Sequence, residues 1–232
     1  MAKPGRSTNR WSSPAGSGFS QGTFLRTLVI DTATQALSVA LLDDERCIGH
    51  IHEIVGRGHA EALLPAIAAL PDGGRADAIA VDVGPGSFTG VRIGIAAARA
   101  LALAWSLPLH GYGALSLIAA KAALDHEGGP IAVTITGGHG ELFWQCFEED
   151  GLTALTAPAS TPIATLAALL PHPIVYGTGA EVLVTARGHG LAVSLYPDSA
   201  DYPLIAGRLA LAPSPIYCRD ADARPMTAQP AP

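Results

Sequence analysis

A chain of 232 residues, 49% of them hydrophobic, holds enough apolar material for one large domain or two small ones with cores of their own, which excludes an intrinsically disordered protein. Its 26 Gly and 18 Pro stay below the roughly 25–30% that marks a low-complexity chain. With 20 acidic against 14 basic side chains the formal charge is −6, and no Lys/Arg cluster offsets it, so independent tight binding to a phosphate backbone is excluded. Where RNA is involved, a partner must supply the positive surface.

Residues 1–24 carry Lys3, Arg6 and Arg10, but Ser, Gly and Pro follow where a signal peptide would place its apolar segment. This stretch reads as a flexible extension. Three extended segments come next, RTLVID at 26–31, ALSVALL at 36–42 and CIGHIHEIV at 47–55, and the short links between them predict an antiparallel meander. Asp31 closes the first strand, with Thr32 and Thr34 in the turn behind it. An acid followed by hydroxyls is where actin-like and sugar-kinase-like ATPases hold a metal-bound phosphate, and it is equally an ordinary turn opening.

Residues 58–70 pattern as a helix with Leu63, Leu64, Ile67 and Leu70 on one stripe, and Pro65 is expected to kink it by removing a donor and crowding the preceding turn. His59 and Glu61 near its start invite a metal reading. His50 and His52 share a strand face, but a site built from His50, His52 and His59 lacks a nearby Cys or a second helical ligand. No metal is expected, and these histidines read as solvated or capping side chains.

The stretch AVDVGPGSFTGVRIG at 80–94 organises the rest. An apolar run at 78–83 suits one buried strand, Gly84-Pro85-Gly86 stops it, and an Ala/Leu-rich helix follows over 89–106. Glycines at 84, 86 and 90 let backbone N–H groups face outward, Ser87 or Thr89 can cap the helix, and its positive end faces the same loop. The loop suits either a phosphate, held among Asp31, Thr32, Gly84, Gly86 and Ser87, or a tight, capped turn. A Walker ATPase is disfavoured, because Phe88-Thr89-Gly90 stands where Gly-Lys-Ser/Thr is required. Along the helix Gly90, Gly94 and Ala98 recur at spacing four, a stripe that admits a close neighbour, either a partner chain or an internal helix.

A short strand at 108–112, a helix at 114–124 and a charged, Gly-rich hinge at 125–130 end the first half. A second meander begins with strands at 131–136 and 141–147. It is followed by a helix at 162–170, a strand at 173–176, a Gly177-Thr178-Gly179 turn and helices at 180–187 and 202–211, with an Ala/Pro-rich tail at 220–232. The repeated opening predicts two lobes of related α/β architecture with mixed sheets, at 25–125 and 126–219. Cys47, Cys146 and Cys218, far apart and odd in number, read as three small buried hydrophobes in a reducing cytoplasm. No stretch reaches about 18 uninterrupted apolar residues, so no transmembrane helix is expected.

GPGSFTGVRIG, with IDTATQALSVALL upstream, HAEALLP between them and PIYCRDADARP near the end, closely resembles the TsaB (YeaZ) family of the bacterial tRNA threonylcarbamoyladenosine machinery, over residues 25 to 225. The resemblance implies the actin-like ATPase (ASKHA) fold with a smaller second lobe, and a cytoplasmic, non-catalytic subunit that pairs with TsaD, the catalytic paralogue, and works with the ATPase TsaE. Together these transfer threonylcarbamoyl to the adenosine beside the anticodon, so tRNA is met only through the complex. Carried over residue by residue, the interface comprises Glu61, Leu63, Leu64 and Ile67 from the first helix and Arg92, Gly94, Ala96, Ala98, Arg99 and Leu103 from the second. The metal-dependent relative uses two helical histidines four apart, and four after His59 this chain has Leu63. No cofactor follows from the sequence; an ATP or ADP, where one binds, belongs at or near the partner interface, and a homodimer without the partner is left open.

Two departures stand out. Thr136-Gly137-Gly138-His139 occupies the place where many relatives carry an Asp followed by basic residues, and Gly58 that of a polar or basic side chain. The competing reading is an enzyme: an ATP-dependent phosphotransferase with Asp31 on Mg²⁺ and the 84–87 and 177–179 loops on phosphates, or a peptidase. No well-placed second acid is evident, and no Ser-His-Asp order is positioned by the motifs, so no catalytic residue is expected.

Overall fold

The computed structural model describes residues 25–218; the expected extension at 1–24 and tail at 220–232 lie outside the described residues. Strands β1 (Arg26–Asp31), β2 (Ala36–Asp43) and β3 (Arg46–Ile54) form the antiparallel meander. Helix α1 (His59–Ala69) leads to β4 (Ala78–Asp82), which lies parallel to β1, and α2 (Phe88–Trp105) leads to β5 (Leu109–Tyr112), parallel to β4. The sheet order is β3-β2-β1-β4-β5. Helix α3 (Ala114–Ala122) then crosses to a second sheet built from β6 (Ile131–Gly138), β7 (Glu141–Phe147), β8 (Ala159–Pro162), β9 (Ile174–Tyr176) and β10 (Leu191–Val193).

The second sheet repeats the first strand for strand. β6 pairs antiparallel with β7 and parallel with β9, β8 extends the meander, β10 extends the parallel side, and the order reads β10-β9-β6-β7-β8. Helices α4 (Ile163–Leu169) and α5 (Ala180–Arg187) take the places of α1 and α2. This doubled mixed sheet with helices is the actin-like ATPase architecture. Alternation along the strands gives the first sheet two apolar faces. Leu28, Ile30, Val39 and Val81 pack with α1 and α2, whereas Val29, Ala40 and Ala80 pack with Leu117, Tyr202 and Ile205. α3 is buried nearly all round because Leu117 and Ala120 join the first sheet while the helix also lies against β6, β7 and β9.

Several expected elements differ. The helix expected at 202–211 is a 3₁₀ turn, Ser199–Leu204, followed by turns; Pro203 lies inside it and Gly207 adopts φ 71°, which ends any helix. The short edge strands β8 and β10 carry no sustained alternation in the sequence. The kink expected at Pro65 does not divide α1, which runs continuously from His59 to Ala69. Pro65 and Glu61 are both exposed, so the Glu61 carbonyl that lacks its usual donor lies on the solvent side of the helix. Cys47 is exposed and Cys218 half-buried, so only Cys146 is the buried thiol expected, with burial pushing its pKa up to about 11. By length and mean hydropathy α2 is the one helix among the described residues apolar enough to cross a membrane. Its Gly90, Val91, Gly94, Ile95, Ala98 and Ala102 stripe is instead buried, with Val91, Ile95 and Ala98 in the core of the first sheet.

Candidate functional site

The C-terminal ends of parallel strands are where open α/β sheets hold ligands. Here β1 and β4 end side by side: Ile30 pairs with Val81, which brings Asp31 and Asp82 next to each other. The second acid that the sequence did not single out beside Asp31 is therefore present, supplied by the strand that precedes the glycine loop. Both carboxyls are shut off from water, with relative exposures of 0% and 1%. Asp31 accepts from the Ala33 N–H at 3.1 Å, and Asp82 Oδ1 accepts from the Gly84 N–H at 2.7 Å. Among the described residues the Asp82 Oδ2 atom has no hydrogen-bond partner. The Tyr112 hydroxyl, itself buried, donates to the Ile30 carbonyl and lies 3.4 Å from Asp31 Oδ2.

Removal from water dominates the titration of this pair. Desolvation, then the charge of Asp82, holds Asp31 well above the usual carboxylate range, and desolvation pushes Asp82 up to about 6. Two adjoining buried carboxyls cannot both ionise cheaply. A pair sealed from water is a poor ligand for Mg²⁺, which keeps several waters in its coordination shell.

The glycine loop is spent on internal packing. A Cβ on Gly86 would sit 2.2 Å from the Ala33 carbonyl oxygen, one on Gly90 2.1 Å from the Thr32 carbonyl oxygen, and one on Gly94 2.4 Å from Thr32 Oγ1. Thr32 Oγ1 donates to the Gly90 carbonyl at 2.8 Å. Ser87 is the N-cap of α2, accepting from the Gly90 N–H at 3.2 Å, and its own N–H donates to the Ala33 carbonyl at 2.6 Å. The N–H groups of Gly84, Ser87 and Gly90 are thus committed within the chain, and Asp31, Thr32, Gly84, Gly86 and Ser87 form a tight capped turn clamped to the turn after β1. The second-lobe turn repeats the device: the Gly179 N–H donates to the Thr134 carbonyl at 3.1 Å, and a Cβ on Gly177 would meet that oxygen at 2.2 Å.

The residues expected at a partner interface divide into two sets. Leu63 and Ile67 lie in the core cluster under α1, and Gly94 and Ala98 face the first sheet, so these four pack against the chain itself. The small-residue stripe is the internal seat of α2, used because Thr32 and the strands approach it too closely for larger side chains. Glu61, Leu64, Arg92, Ala96, Arg99 and Leu103 are exposed. Leu64 is 55% exposed, Phe88 63% and Leu103 84%, and exposed Ala100 and Ala104 continue the α2 stripe. α1 and α2 pack side by side, so both apolar outer faces belong to one layer. Arg92 lies 3.3 Å over the Phe88 ring and donates to the Tyr217 hydroxyl at 2.8 Å, and Arg99 donates to the Pro213 carbonyl at 2.7 Å. These arginines tie the C-terminal segment along the rim of the face. His59 is buried at the start of α1, with Nε2 3.2 Å from the Ala36 carbonyl, and serves as a structural tie between α1 and β2.

The chain is similar to known proteins of one family. Residues 42–195 match the family model described as TsaD, tRNA N6-adenosine threonylcarbamoyltransferase. The tRNA threonylcarbamoyladenosine biosynthesis protein TsaB of Escherichia coli is 38% identical over 131 residues, 54% of this chain and 56% of that protein. The protein of the same name from Haemophilus influenzae is 36% identical over 126 residues, 52% of each chain. The matches thus span about half the length of these curated relatives. The solved structure of YeaZ from Pseudomonas aeruginosa superposes with a TM-score of 0.69 at 29% identity, covering 83% of this chain and 99% of that one.

Proposed function

Because this chain belongs to the TsaB/YeaZ family of tRNA threonylcarbamoyladenosine biosynthesis, we propose that it is a non-catalytic partner subunit that binds a TsaD-like catalytic paralogue and holds it in its active shape. The observation that carries this reading is the exposed apolar face of α1 and α2. Leu64, Ala96, Ala100 and Leu103 stand outward beside the polar rim of Glu61, Arg92 and Arg99. An apolar centre with a charged rim is the anatomy of a protein interface. The opposite faces of the same helices are fixed by core packing, so the surface is preformed and needs little ordering on binding.

The enzyme reading finds no support at the place where its chemistry would have to occur. Asp31 and Asp82 are buried, with desolvation holding both carboxyls above their ordinary range, and the loop that would hold phosphates is closed on the turn after β1. In the proposed assembly the TsaD-like partner carries out transfer to the adenosine beside the anticodon, a TsaE-like ATPase acts alongside, and tRNA is met in the cytoplasm through the complex. The acidic balance of this chain accords with a subunit that leaves the phosphate backbone to others.

The test is association. A Leu64→Asp/Leu103→Asp double variant places charge in the proposed contact while touching only exposed positions, so monomer stability should change by no more than about 0.5 kcal/mol. Its affinity for a co-expressed TsaD-like paralogue should fall by a factor of about 30 or more, the cost of losing a buried apolar anchor. Unchanged co-purification would refute the assignment of this face.

A further inference from the structure

On the face of the first sheet away from α1 and α2, three metal-ligand side chains converge from opposite ends of the chain. His50 and His52 alternate along β3, opposite Ala40 and Ser38 of β2, and so project to the side covered by the Ser199–Leu204 turn. Asp198 is the N-cap of that turn. His50 Nε2 lies 2.7 Å from Asp198 Oδ1 and His52 Nδ1 3.5 Å from Asp198 Oδ2, and one donor atom from each residue falls within 4.8 Å of the others.

We propose that His50, His52 and Asp198 form a site for a divalent transition-metal ion of the zinc type, which clips the C-terminal turn to the edge of the first sheet. Two imidazoles and a carboxylate are the donor set that such ions select, with water completing the coordination. Metal–ligand bonds of about 2.0–2.2 Å at tetrahedral angles separate donor atoms by about 3.3–3.5 Å. The His52 Nδ1 to Asp198 Oδ2 spacing already meets that separation, and a small closing movement of the His50 ring within the 4.8 Å cluster brings the third donor to it.

Two further observations point to a ligand. Among the described residues His52 Nδ1 is shielded from solvent and has no hydrogen-bond partner, although it points toward the Asp198 carboxylate. A bound cation gives that nitrogen the partner it lacks. Asp198 Oδ1 accepts from the Ala200 N–H at 2.9 Å and from the Ser38 hydroxyl at 3.2 Å, which fixes the carboxylate and leaves Oδ2 for the ion. Such outer support of a ligating carboxylate is the usual companion of a metal site. Ser38 also binds Ser199 through two hydrogen bonds of 2.9 and 2.8 Å, so the junction is already ordered around the place the ion would take.

Sequence reading sets the two histidines beside His59, which is buried at the start of α1, and misses Asp198 because that ligand is the cap of a turn almost 150 positions beyond them. The site lies on the opposite side of the sheet from the proposed partner face, so it stands or falls separately from the subunit reading.

Titration of the chelator-treated full chain with zinc chloride, followed by calorimetry, tests it. One equivalent should bind with a dissociation constant of about 10 μM or tighter. His52→Ala and Asp198→Asn should each weaken binding at least tenfold, and His189→Ala, which removes an exposed histidine elsewhere, should leave it unchanged. Zinc at a hundredfold excess over its dissociation constant should raise the thermal midpoint of the parent chain by roughly 5–10 °C and that of His52→Ala by far less. Absence of stoichiometric binding, or an isotherm that survives both His52→Ala and Asp198→Asn, would overturn the site.

Discussion

Replacing Asp82 with Asn should reshape the pH dependence of stability. In the folded chain Asp82 is pushed up to about 6 from an ordinary value of 3.8. The folded state therefore binds a proton more tightly than the unfolded one. The stability this confers is present in full below about pH 4 and is lost as pH rises through about 6. At about 1.4 kcal/mol per pKa unit, the change is worth at most about 3 kcal/mol between pH 4 and 7.5. Asn keeps an oxygen to accept from the Gly84 N–H and has no charge to bury, so the variant should lose little or none of that amount over the same range. Urea unfolding at half-unit pH steps from 4 to 8 gives both curves. The gap between variant and parent should move in favour of Asn by about 2–3 kcal/mol on going from acid to neutral pH, which corresponds to roughly 5–10 °C in thermal midpoint. Groups remote from the pair contribute to both curves and cancel in the difference, whereas Asp31 loses the like charge beside it in the variant, which moves the difference in the same direction. Parallel curves across the range would refute the buried, proton-holding pair.

Other consequences follow from the same packing. Gly94→Ala puts a methyl 2.4 Å from Thr32 Oγ1 and should cost about 1–3 kcal/mol in the isolated chain, since the neighbour is a buried, hydrogen-bonded hydroxyl. A neutral result in chemical denaturation would show that the stripe is not an internal seat. Ser87→Ala removes the cap of α2 and should cost about 1 kcal/mol, read by the same unfolding experiment; no loss would mean that the Ser87 side chain does not cap the helix in solution.

How far the sequence announces all this depends on the range of each interaction. β1, α2 and α5 are legible because alternation, an apolar stripe and turn residues are local signals, and Ser87 reads as a cap from its place before the helix. The Ser199–Leu204 turn is misread as a longer helix because its apolar side chains, Tyr202 and Ile205, are held by the sheet and not by helical neighbours. The glycines at 84–90 carry two meanings at sequence level, an anion cradle or a close approach. Only the clamp against Thr32 and Ala33 decides for the second. Asp82 passes for a strand terminus until the parallel register places it against Asp31. The small-residue stripe is misread in the same way: spacing four marks a close contact, and nothing local tells whether the neighbour is a partner or the chain's own strands. Leu64 and Leu103 stay outward for the complementary reason, that the turns of α1 and α2 bearing them have no strand left to cover.

The most direct measurement of the central claim is threonylcarbamoyl transfer to tRNA in a mixture of a TsaD-like paralogue, a TsaE-like ATPase and this chain. Transfer should require the chain, persist with an Asp31→Asn/Asp82→Asn variant and disappear with Leu64→Asp/Leu103→Asp. Transfer by the chain in the absence of the paralogue, or its loss in a folded, associating Asp31→Asn/Asp82→Asn variant, would contradict the assignment of a supporting role.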